Sequence, residues 1–288
     1  MNYIKSGLKP GLWFVGVPIG TARDITLRAL DVLASAEVLA AEDSRSLRKL
    51  MDIHGVPLEG RRIEVLHDHS KAQSVARLVD MAQTRSVAYA SEAGMPGIAD
   101  PGFELARAAR ETGVTVTCAP GASAVVTALA VAGLPTDAFH FAGFLPNARQ
   151  ARKTALIALK DVPATLVFYE SPKRLQAMLE DAAEVLGGDR QGAVCRELTK
   201  RFEEIRTNPL ETLAKDLKVQ TVKGEIVVLI ARGERGRVRE IDIDEALVSA
   251  LRSMSTKDAA GFVADSLDIP RRRVYQRALD LARDMPAD

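Results

Sequence analysis

Aromatic side chains make up only 5% of the 288 residues, and there are one tryptophan, two cysteines and four histidines. So few flat rings exclude a surface that binds single-stranded nucleic acid by stacking many bases in succession. Two cysteines build no disulfide framework. Cys118 and Cys195 each sit in an apolar run, where a small buried thiol in a reducing compartment is expected. His67 and His69 share one face of an extended segment but lack a third ligand at compatible spacing, which speaks against zinc. No apolar run approaches the roughly 18 residues of a membrane span, and no basic segment precedes an apolar signal core. A cytoplasmic protein without membrane contact is expected. Excess charge is missing too: 39 Lys and Arg against 38 Asp and Glu leave a net charge of +1. That excludes a uniformly electropositive polyanion binder and confines nucleic-acid contacts to local clusters.

What is present is ordinary globular material, 47% hydrophobic and long enough to bury a core without metal or disulfide. Through the first half, residues 12–17, 38–41, 63–66, 87–91 and 114–118 read as strands. Helical spacing fills 24–36, capped by Asp24 or Thr26, and then 72–83 and 103–112. Strands separated by single helices pair in parallel, so residues 1–134 are expected to form an α/β domain. The rhythm changes at Gly133, where a domain boundary is placed, and the Gly143–Asn147 segment leads into a basic run. Beyond it, 165–169, 192–196, 202–206 and 225–231 read as strands, with helices near 172–186 and 209–218. Two adjacent strands with no helix between them predict antiparallel pairing, hence a mixed α+β domain over 135–233. An Arg/Gly-rich linker, 233–237, precedes a helical module over 240–288, with helices at 256–267 and 270–282 joined through Asp268 and Ile269. Its Arg271, Arg272 and Arg273 read either as nucleic-acid contacts or as a solvated helix face.

In an open parallel sheet, ligands bind beyond the carboxyl ends of the strands. Three such loops stand out. Gly16–Gly20 follows the first strand; Pro18 removes an amide from it, and it lacks the G-x-G-x-x-G spacing of a pyrophosphate turn. Ser91–Gly102 packs three glycines, two prolines and two acids into twelve positions, more than a turn requires and suited to a ligand touching main-chain groups. Ala119–Ser123 leads into a helix and leaves Ser123 at its start, as a cap or as a ligand contact. Glu42 and Asp43 stand where a ribose-binding acid would in a dinucleotide site, but without the glycine fingerprint that reading is weak. No G-x-S-x-G elbow supports a hydrolase.

Ordered along the chain are Val17–Gly20 with Asp24–Thr26, Ala41–Asp43 with Arg45, His67–His69, Ser91–Gly94 through Asp100–Gly102, and Pro120–Gly121 with Ser123–Ala124. Gly133–Pro135, Gly143–Pro146, Phe168–Ser171, Arg196–Lys200 and Lys223–Glu225 follow, and Tyr275 lies in the tail. Each motif alone is weak. In this order the set resembles the ribosomal RNA small subunit methyltransferase I family, within the tetrapyrrole methylase-fold enzymes. Glu92 stands where the family usually has Asp, Met95 where Thr is usual, and Thr21 where Asn is common.

The resemblance implies two α/β domains with S-adenosylmethionine folded into the cleft between them, in a homodimer. It implies methylation of a cytidine ribose 2′-hydroxyl near the decoding centre of small-subunit ribosomal RNA. Carried over by motif, the cofactor contacts are Pro18, Ser91, Glu92, Ala93, Gly94, Ile98, Ala99, Ser123, Ala124, Tyr169, Leu198 and Gly224. A ribose hydroxyl needs a base or a cation to ease loss of its proton. Asp43, Glu170 and Lys200, all in these motifs, are the candidates; a salt bridge, a helix cap or a phosphate contact are the alternatives. For the RNA backbone the candidates are Arg45, Arg48 and Lys49, with Arg149, Arg152 and Lys153 after the boundary. A tetrapyrrole or other small acceptor, and a non-catalytic cofactor- or RNA-binding module, remain open as alternatives.

Overall fold

The computed structural model describes residues 2–66, 71–217, 223–233, 240–267 and 270–284. His67 and His69, the joint at Asp268 and Ile269, and most of the Arg/Gly linker lie outside them. The chain divides into two compact units, Met1–Arg232 and Gly233–Asp288.

The first unit holds two five-stranded sheets. In sheet one, β1 (Gly11–Val15), β2 (Val38–Ala41), β3 (Ile63–Val65), β4 (Ser86–Ala90) and β5 (Val116–Ala119) run in the order β3-β2-β4-β1-β5. All four pairings are parallel. The connecting helices α1 (Leu27–Ser35), α2 (Ser44–Ile53), α3 (Lys71–Thr84) and α4 (Gly102–Glu111) cover both faces. Leu30, Leu33, Leu47 and Met51 pack on one side, and Leu78, Val79, Leu105 and Ala109 on the other. Covering both faces is why these strands read as continuous apolar runs. Thr26, not Asp24, caps α1, its hydroxyl accepting the Ala29 N–H at 3.1 Å. The polar α2 has no counterpart among the predicted helices: only Leu47 and Met51 of its ten residues are buried.

Sheet two contains β6 (Phe139–Phe144), β7 (Thr165–Glu170), β8 (Gln191–Arg196), β9 (Glu204–Pro209) and β10 (Ile226–Ile230), ordered β6-β7-β10-β8-β9. The adjacent β8 and β9 do pair antiparallel. Two expectations are corrected. The second of those strands begins at Glu204 rather than at residue 202. A strand that was not expected, β6, follows the boundary placed at Gly133; it is an edge strand whose register shifts between Phe141 and Gly143. Helix α5 (Ala124–Val131) lies on one face of this sheet; α6 (Arg149–Leu159), α7 (Pro172–Leu186) and α8 (Leu210–Leu217) lie on the other. Ile19 from sheet one's first loop joins Val125, Leu129, Val167, Cys195 and Leu229 in one apolar cluster, which ties the two sheets into a single unit.

The second unit packs α9 (Glu240–Leu251), α10 (Thr256–Leu267) and α11 (Arg271–Asp284) around Ile243, Leu247, Val263 and Val274. Arg277 closes it with paired 2.6 Å bonds to Asp244. No helix among the described residues is long and apolar enough to cross a membrane.

Candidate functional site

Because β1, β2, β4 and β5 are parallel, the loops that leave their carboxyl ends meet along one edge of sheet one. There the first loop crosses the fifth almost in contact: a Cβ on Gly16 would stand 2.5 Å from the Gly121 nitrogen, and one on Gly121 would stand 2.8 Å from the Gly16 carbonyl. Only two glycines allow that crossing. The loop after β4 is fastened to the loop after β1 by an isolated bridge, with Val17 and Gly94 exchanging hydrogen bonds of 2.9 and 3.2 Å. Asp100 stiffens the far end by accepting the N–H groups of Gly97 and Gly102 at 2.9 and 2.6 Å.

These loops and sheet two enclose a cleft of about 440 Å³. Ser91, Glu92, Ala93, Gly94, Ile98, Ala99, Ser123 and Ala124 line it from one side, and Tyr169, Leu198 and Gly224 from the other. Of the cofactor contacts implied by resemblance, Pro18 alone does not line it; its neighbour Ile19 does. Ser123 holds the N-cap position of α5 but makes no capping bond, so its hydroxyl is available to the cleft. Backbone strain is concentrated here. Ala99, Glu197 and Thr199 have φ of 59°, 51° and 62°, three of the four positive-φ residues other than glycine among those described. Such conformations persist only where surrounding contacts hold them, and they gather at functional sites. Leu198 sits between two of them, and Thr21 of the first loop donates its N–H to Thr199 Oγ1 at 3.2 Å.

The cleft's charge is one-sided. Glu42, Glu92, Asp100, Glu170 and Glu225 line it, and among the described residues no Lys, Arg or His joins the lining, although Arg174 and Lys200 pair with Glu170 and Glu225 from outside it. Glu170 is the most buried of these, 3% exposed. Its Oε1 accepts the Ser171 N–H at 2.7 Å and pairs with Arg174 Nε at 3.2 Å, while its buried Oε2 has no hydrogen-bond partner among the described residues. Arg174 in turn reaches the Leu145 carbonyl, which joins the Gly143–Pro146 segment to the carboxylate. Phe144, 56% exposed, stands at the cleft edge against Tyr169 with ring centroids 5.6 Å apart. Burial pushes the Cys195 thiol up to about 11, so this cleft-lining sulfur stays protonated and is no nucleophile at neutral pH.

The other two proton-transfer candidates are placed elsewhere. Asp43 caps α2, accepting the Arg45 N–H at 2.8 Å; that bond, with the side-chain bond from Arg45, holds its carboxyl below the usual range. Glu42, one residue earlier, takes the cleft position, and its carboxylate accepts the Glu92 N–H at 3.1 Å. Lys200 lies outside the lining, bonded to Glu197 at 2.8 Å and Glu225 at 2.9 Å. Burial pulls its pKa down, but the bonds to these two carboxylates outweigh it and raise it above the ordinary value. Lys200 therefore stays protonated and anchors the turn that carries Glu225.

In the basic run on α6 only Arg152 is buried away from a nucleic acid, while the exposed Arg149 and the partly buried Lys153 pair with neighbouring acids. Arg152 is buried, with Nη2 2.7 Å from Asp181, Arg149 takes the other Asp181 oxygen at 3.0 Å, and Lys153 pairs with Glu184 at 2.5 Å. Those charges are committed to α7. In the tail, Arg272 is exposed, Arg271 donates to the Lys257 carbonyl at 3.4 Å, and the Arg273 side chain is outside the described residues.

Sequence reasoning missed Phe144 and Glu225 as lining residues, and it named Glu42 only with Asp43 as a dinucleotide-type acid. All three lie in the motifs named above, so the signal was present.

Compared with known proteins, residues 11–214 match the family model described as Tetrapyrrole (Corrin/Porphyrin) Methylases. Residues 238–282 match one described as RsmI C-terminal HTH domain. A protein of Mesorhizobium japonicum named Ribosomal RNA small subunit methyltransferase I is 44% identical over 95% of this chain and 93% of its own length. Its namesake in Vibrio cholerae is 40% identical over 94% and 95%. Among solved structures, a diphthine synthase superposes with a TM-score of 0.60 at 18% identity, covering 76% of this chain and 89% of its own. The methyltransferase CobJ gives 0.59 at 22%, covering 79% and 95%.

Proposed function

The chain belongs to the ribosomal RNA small subunit methyltransferase I family, and on that premise we propose that its acidic cleft binds S-adenosylmethionine and directs the methyl group to a cytidine ribose 2′-hydroxyl of small-subunit ribosomal RNA. It is an rRNA methyltransferase of the tetrapyrrole methylase fold. The observation that carries the donor assignment is the acidic lining: five carboxylates and, among the described residues, no lining cation, with Glu170 and Glu225 paired from outside by Arg174 and Lys200. A ligand with a sulfonium and an ammonium is favoured there; the pyrophosphate of a dinucleotide is repelled. The residues fit the group. About 440 Å³ falls within the roughly 300–1,000 Å³ of small-ligand sites, and the uncommitted Ser123 hydroxyl is open to a ligand.

When bound, the cofactor supplies an activated methyl on sulfur. The protein's part is positioning. Gly94 brings main chain close to the ligand, Ser123 offers an uncommitted hydroxyl, and Leu198 and Tyr169 form the opposing wall. Glu170 borders the cleft at the carboxyl end of β7, its side chain buried and paired with Arg174, and is the proposed acceptor for the proton. The division into 1–134, 135–233 and 240–288 and the homodimer belong to the same reading. The edge strand β6, with Phe139 and Phe144 exposed, supports pairing with a second copy.

Calorimetric titration tests the donor assignment. S-adenosylmethionine and S-adenosylhomocysteine are expected to bind one per chain, while nicotinamide dinucleotides at millimolar concentration give no heat. Dinucleotide binding without S-adenosylmethionine binding overturns it.

A further inference from the structure

An acidic cleft poses a problem for an enzyme whose acceptor is RNA: among the described residues no cationic side chain lines it, so the polyanion is better held from outside. The basic cluster on α6 is less open, because Arg152 is buried and all three of its cations are paired with Asp181 or Glu184. Another cluster is differently placed. α2 starts two residues after the cleft-lining Glu42 and runs about 15 Å away from the cleft edge. Arg45, Arg48 and Lys49 lie three and four positions apart, which puts them on one helix face. All three are exposed, and the groove beside them is completed by Arg61, Arg62 and Ile63 at the start of edge strand β3.

The charges in this groove are open in a way that those of α6 are not. Arg45, its side chain 91% exposed, reaches only Asp43 at its own helix cap. Among the described residues Arg48, Lys49 and Arg62 have no ion-pair or hydrogen-bond partner, although Asp52 lines the same groove. Arg61 is structural. Its guanidinium binds the carbonyls of Leu33, Ala36, Pro57 and Leu58 and so fixes the groove wall. Exposed cations on a braced wall, beginning where the cleft opens, are what a phosphate track requires.

We propose that the α2–β3 groove, through Arg48, Lys49 and Arg62, holds the ribose-phosphate backbone of the ribosomal RNA segment whose target nucleotide enters the cleft. The proposal rests on the rRNA methyltransferase reading and adds to it where the strand lies. These contacts fall on phosphates, so the groove contributes affinity and register and leaves the choice of base to the cleft.

The test uses the full chain carrying Arg48→Ala, Lys49→Ala and Arg62→Ala together. Its binding to small ribosomal subunits and to protein-free small-subunit rRNA is measured across a salt series, with S-adenosylhomocysteine binding and the thermal midpoint as controls. Affinity for both RNAs is expected to fall at least about tenfold at low salt. The slope of log K against log salt is expected to shrink by roughly two to three, near one for each phosphate that is no longer bound. Cofactor affinity should stay within about twofold, because none of the three residues lines the cleft. Unchanged affinity and slope overturn the proposal. Weakened binding to intact subunits but not to protein-free rRNA also overturns it, by assigning the groove to an acidic ribosomal protein. Absence of methyl transfer by the unaltered chain is a separate failure, of the functional reading, since the salt slopes are read without turnover.

Discussion

Glu170→Gln is expected to lower the turnover of methyl transfer by about 100-fold or more while leaving S-adenosylmethionine affinity within about threefold. The substitution keeps the side chain's shape and removes its charge. In the structure one oxygen of Glu170 is held by Ser171 and Arg174, which fixes the plane of the carboxylate, and the other is buried with no hydrogen-bond partner among the described residues, in a residue that borders the cleft. Leaving such an atom unsatisfied costs about 1–3 kcal/mol. A carboxylate in that state suits a hydroxyl that must lose its proton as the methyl group arrives. The substitution also breaks the ion pair with Arg174, which keeps its bond to the Leu145 carbonyl, so a thermal midpoint is read beside the rates to separate lost stability from lost turnover. Initial rates at saturating donor, with calorimetry for the donor, separate the outcomes. Unchanged turnover removes Glu170 from the chemistry, and a parallel loss of donor affinity moves it from the acceptor to the donor's cation.

Gly94→Val is expected to weaken donor binding at least about tenfold in a protein that remains folded. Gly94 has φ of +73°, where a side chain costs roughly 1–2 kcal/mol and a β-branched one is a true outlier. Its added carbons would start 3.4 Å from the Ile19 side chain and 3.5 Å from the Ala122 carbonyl, at the bridge that joins the loops after β1 and β4. The strain is relieved by shifting that bridge, which moves the wall of the cleft but leaves the sheet's core clusters intact. Titration with S-adenosylhomocysteine, alongside a thermal midpoint, checks it. Wild-type affinity would take Gly94 out of the donor site.

The parallel half of the fold was open to reading because its strands are buried on both faces and spaced by single helices. The strand at 38–41 coincides with β2, and the other four lie within two residues of those observed. What escaped reading has physical reasons. α2 buries only Leu47 and Met51, too few for a helical stripe to show, and its polar face is free for other uses. β6 is an edge strand with both ends exposed and a register shift at Gly143, so it lacks alternation. In the site, the ordered loops led to the cleft, since eleven of the twelve named contacts line it. Side-chain allegiance was not legible. Nothing in the spacing told Asp43, which caps a helix, from Glu42, which faces the cleft, or disclosed that Arg152 answers an acid on the next helix.

The central claim is tested most directly by incubating the full chain with methyl-labelled S-adenosylmethionine and small ribosomal subunits that lack ribose methylation, then digesting the RNA to nucleosides and mapping the label. The expected product is 2′-O-methylcytidine at a single site in the decoding region, approaching one methyl group per subunit. Label on a base, or a donor-bound enzyme that leaves the RNA unlabelled, would contradict it.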